Sequence, residues 1–274
     1  MALYMACINC LTIDLEPWMC IYDNTKLIKE LDDNLTLQTT YQLLNILDKY
    51  DTTATFFVLG KIYEWYPGLV KEIAQAGHEI AFHTYTHRII RNNKALEEEI
   101  FMSSNFLNTF KPKGFRAPQM ILPRSTLSIL SKYGFKYSSS TYAPIGRPIV
   151  YKEKIMEVPV STYPLLKKKV NICFPRHLIY ALKNFEIPFG SGLFVGLLSS
   201  RLLNNIIRSY NKEGKSVVLL IHPWQLITKK VKLSLKHITK LPYIASKITP
   251  EKLRNLLEKN YFTTISDLLK EFYT

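Results

Sequence analysis

The chain has no long hydrophobic run: none of its stretches reaches the ~18 to 20 consecutive apolar residues that a membrane-spanning helix requires. Its N-terminus lacks the basic segment and small-residue cleavage site of a secretory signal. Internal repeats, low-complexity tracts and an evident interdomain linker are missing as well. These absences predict a cytoplasmic protein in which residues 1–274 form a single domain.

Acidic residues and cysteines are both scarce. The 22 acidic residues stand against 36 Lys and Arg, so the net charge is +14. This charge suits an anionic partner, such as an acidic glycan or an anionic membrane surface at the inner membrane face, but the lysines are spread along the chain, which favours a general property of the surface. The basic residues accompany no nucleic-acid-binding motif, so no specific nucleic acid is expected. Of the four cysteines, Cys7 and Cys10 have CxxC spacing, but no second pair completes a metal site. Both are therefore predicted to be reduced core thiols.

Apolar runs alternate with amphipathic segments along the chain, as in parallel βαβ units. The predicted strands are Ala6–Ile13, Ala54–Gly60, His78–Phe82, the GFRAP segment Gly114–Pro118, two candidates near Ile149 and at Ile155–Val160, and Val217–Trp224. The predicted helices are Leu37–Tyr50, Pro67–Ala76 with Gly77 as its cap, Ala95–Phe110, Pro123–Tyr133, Leu197–Glu213 and a terminal helix beginning at Thr249, before a last strand and helix over Phe262–Phe272. Loops are expected over Tyr22–Asn34 and, with basic character, over Lys229–Ile248. The pattern predicts an α/β fold.

Two carboxylates end the first predicted strand. Strand side chains alternate faces, so Asp14 and Glu16 project to the same side. In parallel sheets the chemistry collects at the carboxyl ends of the strands, and this pair is therefore a candidate site.

Two histidines follow the third predicted strand in the sequence HTYTH. On a helical turn their spacing of four places His83 and His87 on one side, which suits two ligands of a divalent metal. With Glu16 they form a two-histidine, one-carboxylate set, which leaves open positions for water and substrate.

Three further residues complete a hydrolytic site. Asp14 stands where it could accept a proton from a water that the metal activates, and His222, in LIHPW, where it could protonate a leaving amine. Arg116 in GFRAP could form a bidentate pair with Asp14 and hold it ionised.

The motifs TIDLE, HTYTH, FRAP and LIHPW, in this order and with these separations, resemble those of the polysaccharide deacetylases, the NodB-like family also called carbohydrate esterase family 4. The chain is most similar to the cytoplasmic branch whose first motif is Asp-x-Glu, and the likeness covers nearly all of it.

The resemblance implies a distorted (β/α)7 barrel that binds one divalent metal, Zn²⁺ first with Co²⁺ as an alternative, and removes an N-acetyl group from an aminosugar. Asp14 is similar to the family's base, Glu16, His83 and His87 to its metal ligands, Arg116 to the residue that orients the base, and His222 to the general acid. Candidate substrate contacts are Trp18, Tyr85, Pro118, Tyr142 and Trp224. The backbone amide near Tyr142 or Ala143 is a candidate oxyanion donor.

The chain departs from the branch at one position. Members commonly read Tyr-Asp-Ser-Ser where this chain has Tyr137 followed by serines at 138, 139 and 140. If the missing acid tunes the catalytic groups, the serine at position 138 slows the reaction, because such losses cost ~10 to 100-fold at metal sites.

Three functions remain open at this point. The first is deacetylation of an N-acetylated glycan, or of a lipid-linked or nucleotide-linked glycan precursor. The second keeps the fold and the metal but hydrolyses a small cyclic or linear amide, as in allantoinase-like relatives. The third is a non-catalytic glycan-binding component of polysaccharide assembly.

Overall fold

The structure is a computed structural model of the chain, and it describes residues 7–21, 27, 29–166, 177–227 and 246–272. Most of the basic loop expected over Lys229–Ile248 and part of the loop expected over Tyr22–Asn34 lie outside the described residues. No helix in the described ranges is long and apolar enough to cross a membrane.

The described residues form thirteen strands and twelve α-helices. The strands, β1 to β13 in chain order, are Asn9–Leu15, Thr55–Val58, Glu79–Phe82, Gly114–Phe115, Tyr137–Ser138, Tyr142–Ala143, Ile149–Val150, Met156–Glu157, Val160–Ser161, Tyr163–Pro164, Glu186–Ile187, Val218–Ile221 and Phe262–Thr263. The helices, α1 to α12, are Lys29–Asp32, Leu35–Lys49, Gly60–Trp65, Pro67–Gln75, Asn93–Met102, Ser104–Phe110, Leu127–Lys132, Leu178–Lys183, Gly192–Leu197, Ser200–Lys212, Pro250–Lys259 and Ile265–Lys270. Four short 3₁₀ turns connect them, at Trp18–Ile21, Pro118–Met120, Arg124–Thr126 and Pro223–Leu226.

The main sheet runs in the order β12-β1-β2-β3-β4-β5-β8-β7, with β13 beside the start of β1. All of these pairs are parallel except β7 with β8. Beyond a short irregular stretch, β5 continues as β6 and β8 continues as β9, and β6 and β9 again pair in parallel. The sheet therefore has seven strand positions from β12 round to β8 and β9.

The two ends of this sheet meet through Gly190. Its amide donates to the carbonyl of Ser161 in β9 (2.9 Å), and its carbonyl accepts from the amide of Leu220 in β12 (2.7 Å). The hydroxyl of Ser161 accepts from the amide of Val218 (2.9 Å). A Cβ at position 190 would lie 2.5 Å from the Val218 carbonyl oxygen, so only glycine fits between the strands. The sheet closes into a distorted seven-stranded barrel, as the resemblance implied.

Alternation along the strands separates two apolar clusters. Phe56 belongs to the larger cluster, which contains helix residues such as Leu43 and Leu69. Its neighbour Phe57 belongs to the second cluster with Ala81 and Tyr137, residues of the neighbouring strands. Adjacent strand residues point to opposite faces, so the first cluster lies between barrel and helices and the second inside the barrel.

The amino-terminal end of the barrel is closed by α12, which contributes Ile265, Leu268 and Leu269 to the interior cluster. Glu79 of β3 fixes this helix by accepting from the amide and hydroxyl of Ser266. One end of the barrel is thus plugged, and the carboxyl ends of the strands are left to form a site.

Several predicted elements differ from those observed. The helix predicted over Ala95–Phe110 is interrupted at Ser103 and consists of α5 and α6. The helix predicted over Leu197–Glu213 is confirmed as α10, which begins at Ser200, and the preceding α9 was not predicted. Helix α3 was not predicted, and α1 lies inside an expected loop. Cys7 and Cys10 are free thiols, as expected, but only Cys10 is a core residue, since Cys7 is half-buried.

Candidate active site

Five side chains with acid, base or cation chemistry lie at the carboxyl ends of four parallel strands. Asp14 is the penultimate residue of β1, and Glu16 follows that strand directly. His83, Arg116 and His222 are each the first residue after their strand, namely β3, β4 and β12. Because these strands are parallel and in one sheet, their carboxyl ends meet at one rim, and residues far apart in sequence become neighbours.

Asp14 is held by a fully buried arginine. The Nη1 of Arg116 lies 2.6 Å from Asp14 Oδ1 and also donates to the hydroxyl of Thr12 (3.0 Å). Its Nε and Nη2 donate to the carbonyl and hydroxyl of Ser139, both at 2.8 Å, and its guanidinium stands 4.0 Å above the ring of Phe57.

The pairing of Arg116 with Asp14 is confirmed, but the expected bidentate geometry is wrong. Ser139 occupies the remaining guanidinium donors, so a single nitrogen reaches the carboxylate. Asp14 Oδ2 is therefore left facing the site, 3.7 Å from His83 Nε2.

Glu16 lies between the histidines. Its Oε2 is 2.7 Å from His87 Nε2 and 3.7 Å from His83 Nε2, and its Oε1 is 3.5 Å from His222 Nε2. Burial alone would raise the pKa of Glu16, but the facing imidazoles of His87, His83 and His222 hold it well below its usual range. The site therefore holds a carboxylate charge in a buried place, where a cation is its natural counterion.

The segment HTYTH is not helical, which corrects the expectation that a helical turn aligns its histidines. Thr84 and His87 have φ of +71° and +64°, the left-handed region that few non-glycine residues adopt. The fold brings the two imidazoles together nevertheless, with ring centroids 5.1 Å apart.

A buried carboxylate, Glu99 of α5, holds this strained segment. Its Oε2 accepts from the backbone amides of Tyr85 (2.7 Å) and Thr86 (2.9 Å), and its Oε1 accepts from the Thr86 hydroxyl (2.9 Å). The Thr84 hydroxyl accepts from the His87 amide (3.2 Å). These bonds stabilise a backbone that would otherwise cost of order 1–3 kcal/mol per strained residue.

The residues present fit a divalent metal. His83 Nε2 and His87 Nδ1 are buried side-chain atoms without a hydrogen-bond partner, and Glu16 Oε2 has only imidazole nitrogens beside it, the nearest being His87 Nε2 at 2.7 Å. His83 Nδ1 lies 2.8 Å from the carbonyl of Arg116, a contact that directs its Nε2 toward the site, and such support is typical of metal-ligating histidines. Buried polar atoms that lack partners are rare, and a metal ion would satisfy them.

His222 approaches from the other side of the site. Its ring stacks on Trp224 with centroids 4.7 Å apart, and its backbone amide donates to Gln225 Oε1 (2.9 Å), which also lies 3.3 Å from its Nδ1. Gln225 is fixed in turn by donating to the carbonyls of Gly192 (2.8 Å) and Ser246 (2.7 Å). His222 is thus oriented by contacts on one ring face and at one ring nitrogen.

These side chains open into a cavity of about 360 Å³. Its polar wall includes Asp14, Glu16, His87 and His222. Its apolar lining, called here the apolar wall, includes Met120, Ile121, Leu178, Ile179 and Leu193.

The five candidate substrate contacts divide into two groups. Tyr142 and Trp224 line the cavity, and Trp224 Nε1 also donates to Glu16 Oε1 (3.4 Å). Trp18, Tyr85 and Pro118 are not among its lining residues, and the Tyr85 hydroxyl is instead bonded to Glu64. The role of a backbone amide near Tyr142 or Ala143 stays a prediction.

Sequence reasoning missed Cys20, His177, Glu99 and Gln225. Cys20 and His177 line the cavity without belonging to any of the four motifs. Glu99 accepts hydrogen bonds from the HTYTH segment, 13 residues before it, and only the fold brings the two together. Gln225 carried a signal, since it directly follows LIHPW.

Two family models match consecutive parts of the chain. Residues 25–138 match polysaccharide deacetylases, and residues 172–270 match a domain of unknown function, DUF3473. The first region contains β2 to β4 and the second contains β12, which both pair into the same barrel sheet.

Curated relatives are similar over part of the chain. A peptidoglycan-N-acetylglucosamine deacetylase of Bacillus cereus is 33% identical over 102 residues, which is 35% of this chain and 37% of that protein. A chitooligosaccharide deacetylase of Rhizobium leguminosarum bv. trifolii is 36% identical over 80 residues, 28% of this chain and 37% of the relative. The matches thus span little more than a third of these relatives.

Solved structures share the fold over almost the whole chain. A presumed polysaccharide deacetylase from Mycobacterium smegmatis superposes with a TM-score of 0.61 at 20% identity, covering 97% of this chain and 90% of the other. The Puue allantoinase superposes with a TM-score of 0.62 at 13% identity and the same coverage.

Proposed function

Because residues 25–138 match the polysaccharide deacetylase family model, we propose that the chain belongs to this family and is a metal-dependent hydrolase that removes an N-acetyl group from an aminosugar. One observation carries the proposal. The Asp14–Arg116 pair, the carboxylate of Glu16 beside His83 and His87, and the oriented His222 all meet at one rim, and most of them border one cavity.

Glu16, His83 and His87 would hold the metal, and their oxygen and nitrogen donors suit Zn²⁺, with Co²⁺ as a substitute. When bound, the metal would polarise the acetyl carbonyl and lower the pKa of water.

The protein's own groups would move the protons. Asp14, with Oδ1 held by Arg116, accepts a proton from the attacking water through its free Oδ2. The water oxygen bonds to the acetyl carbon, and His222 donates a proton to the nitrogen as the carbon–nitrogen bond breaks. The products are acetate and the free amine of the sugar.

The apolar wall favours a substrate with an apolar portion next to the aminosugar, such as a lipid-linked precursor. Ile179 lines this wall and is 59% exposed, and Leu182, one turn further along α8, is 46% exposed. Together with the net charge of +14, these side chains support action at an anionic inner membrane face. Cytoplasmic location stays a prediction.

The test is acetate release by metal-stripped protein, with and without added Zn²⁺ or Co²⁺, from free oligosaccharides, nucleotide-linked sugars and lipid-linked sugars. We expect metal-dependent release, greatest with the lipid-linked substrate. Asp14→Asn should lower the rate by about 10² to 10⁴-fold while the bound metal remains, and Asp48→Asn, on the exposed face of α2, is its control. Hydrolysis of small cyclic amides with no release from any sugar would instead point to an allantoinase-like activity. A protein that binds metal but hydrolyses neither class would overturn the proposal.

A further inference from the structure

A cysteine lies beside the proposed metal ligands. Cys20 is buried, is a free thiol and lines the cavity. The ligand atoms of Glu16, Cys20 and His87 all lie within 4.8 Å of one another. A thiol this close to a carboxylate and an imidazole is within the reach of one metal ion after small side-chain movements.

Local backbone structure explains this position. Pro17 ends the extended segment, and the 3₁₀ turn Trp18–Ile21 follows, in which the amide of Cys20 donates to the carbonyl of Pro17 (3.0 Å). The turn folds the chain back, so the side chain four residues after Glu16 returns to the cavity that Glu16 borders. Cys20 therefore reaches the site from β1's own extension and not from a separate strand.

Cys20 belongs to the larger apolar cluster and also lines the cavity. The neighbouring His87 Nδ1 is a buried atom without a hydrogen-bond partner, and Glu16 Oε2 has the His87 imidazole 2.7 Å away. Cys10, by contrast, lies at the other end of β1, where its thiol donates to the carbonyl of Thr264 (3.3 Å). The thiol of Cys10 is thus bonded to a backbone carbonyl, whereas the sulfur of Cys20 lies within 4.8 Å of ligand atoms of Glu16 and His87.

We propose that Cys20 is a ligand of the metal, its thiolate sulfur joining the carboxylate of Glu16 and the imidazole of His87, whose ligand atoms lie within 4.8 Å of it. The inference rests on the proposed metal site of this protein and adds a donor that the four motifs do not contain. On coordination the thiol gives its proton to water, and a sulfur–metal bond forms without any change of oxidation state. Thiolate is a soft ligand, so this donor set selects Zn²⁺, Co²⁺ or Cd²⁺ over Mg²⁺ and Mn²⁺.

Co²⁺ distinguishes the sulfur ligand from the rest of the site. In metal-stripped full-length protein loaded with one equivalent of Co²⁺, visible ligand-field absorption reports that the metal is bound, and a near-ultraviolet thiolate-to-cobalt band reports a sulfur ligand. We expect both in the wild-type protein. Cys20→Ser should lose the near-ultraviolet band and keep the visible absorption, and Zn²⁺ affinity should fall more than Mn²⁺ affinity. Cys7→Ser and Cys173→Ser are the controls and should keep both features.

The spectra distinguish a failure of the proposed cysteine ligand from a failure of the metal site itself. Visible absorption without the near-ultraviolet band in the wild-type protein would overturn the cysteine ligand while leaving the metal site intact. Absence of both would refute the metal site itself, and with it the proposed function. A band that survives Cys20→Ser and disappears in Cys173→Ser would assign the sulfur to a different residue. Circular dichroism of each variant shows whether it is folded before its spectrum is interpreted.

Discussion

At the scale of single residues, Glu157 is a buried carboxyl group that bonds to the serine segment next to Arg116. It is fully buried, and its Oε1 accepts from the amide of Ser140 (2.6 Å), next to the serine that binds Arg116. Burial raises the pKa of Glu157 to about 7, although hydrogen bonds from Ser138 and Ser140 and the charge of Arg116 oppose the rise. A carboxyl that keeps its proton to neutral pH makes the stability of the protein depend on pH.

The first prediction concerns this dependence. In the unfolded chain a glutamate releases its proton near pH 4.5, whereas folded Glu157 keeps it to about pH 7. The folded state therefore binds more protons between these values, and the free energy of unfolding should fall by about 3 kcal/mol as the pH rises through this window. Glu157→Gln, which keeps an oxygen for the Ser140 amide, should remove this slope. Urea unfolding between pH 4 and pH 8 measures the free energy of unfolding of the wild-type protein and of Glu157→Gln. If this free energy had the same pH dependence in both proteins, Glu157 would not be the group responsible.

The second prediction concerns Ser138, where relatives of the branch commonly have aspartate. Ser138 is fully buried, and its hydroxyl donates to that of Ser140 (2.8 Å), which accepts from the amide of Ala117. Ser138→Asp would place a second carboxyl beside Glu157 in a buried network. We expect it to destabilise the protein by roughly 3 kcal/mol at pH 7 and by less at pH 5, where both acids can hold protons.

The matched control is Ser138→Asn, because the asparagine side chain has nearly the same shape as the aspartate of Ser138→Asp but carries no charge. If Ser138→Asp raised acetate release without a loss of stability at pH 7, the serine would be a deficit in catalysis and not a partner of Glu157. The Ser138 hydroxyl bonds to Ser140, whereas Arg116, the partner of Asp14, bonds to Ser139, so the influence of Ser138 on the base is indirect.

At the scale of elements, the segment HTYTH depends on α5. Glu99 →Gln keeps the size of the side chain but removes the charge that faces the Arg88 Nε at 3.3 Å, and it replaces one oxygen acceptor by an amide nitrogen. The strained backbone at Thr84 and His87 would then be less well held. We expect metal affinity to fall by ~10 to 100-fold, as for other outer partners of metal ligands.

Helix α5 offers its own control for this third prediction. Glu98→Gln removes a neighbouring carboxylate whose pair with Arg88, at 2.8 Å, is on the surface, and it should change metal affinity little. Zinc titration against a competing chelator measures both variants. Equal affinities for Glu99→Gln and Glu98→Gln would show that the segment is held by other contacts.

The elements also show where sequence reasoning succeeds. The strands that carry Asp14, His83 and His222 are apolar runs that end in polar residues, a pattern that predicts both the strand and the place of its last side chains. The left-handed residues of HTYTH, the break at Ser103 and the return of Cys20 depend on contacts with distant parts of the chain. No local sequence pattern encodes such contacts. The positions of the motif residues could therefore be predicted, but the distant residues that hold them in place could not.

At the scale of the whole molecule, the barrel depends on a closure that contains few hydrogen bonds. His222 directly follows β12, and β9 pairs with β6, the strand that follows the Ser138 to Ser140 segment behind Arg116. The closure therefore joins the acid side of the proposed site to its base side. Ser161 contributes a side-chain hydroxyl where a strand pair would use a backbone carbonyl. The geometry of the rim should therefore be sensitive to this one residue.

Ser161→Ala is the fourth prediction. It would leave the buried amide of Val218 without its acceptor and should lower the free energy of unfolding by about 1 to 3 kcal/mol. Amide hydrogen exchange of the peptide spanning β12 should accelerate, while the peptide spanning β2 on the far side of β1 keeps its protection, because opening at the closure exposes one edge and not the centre of the sheet. Ser128→Ala, which removes an exposed hydroxyl bonded to the carbonyl of Ser125, is the control. If exchange accelerated equally in β2 and β12, the barrel would open as one unit. If exchange in β12 did not change, the backbone hydrogen bonds of Gly190 would be enough to close the barrel without the Ser161 hydroxyl.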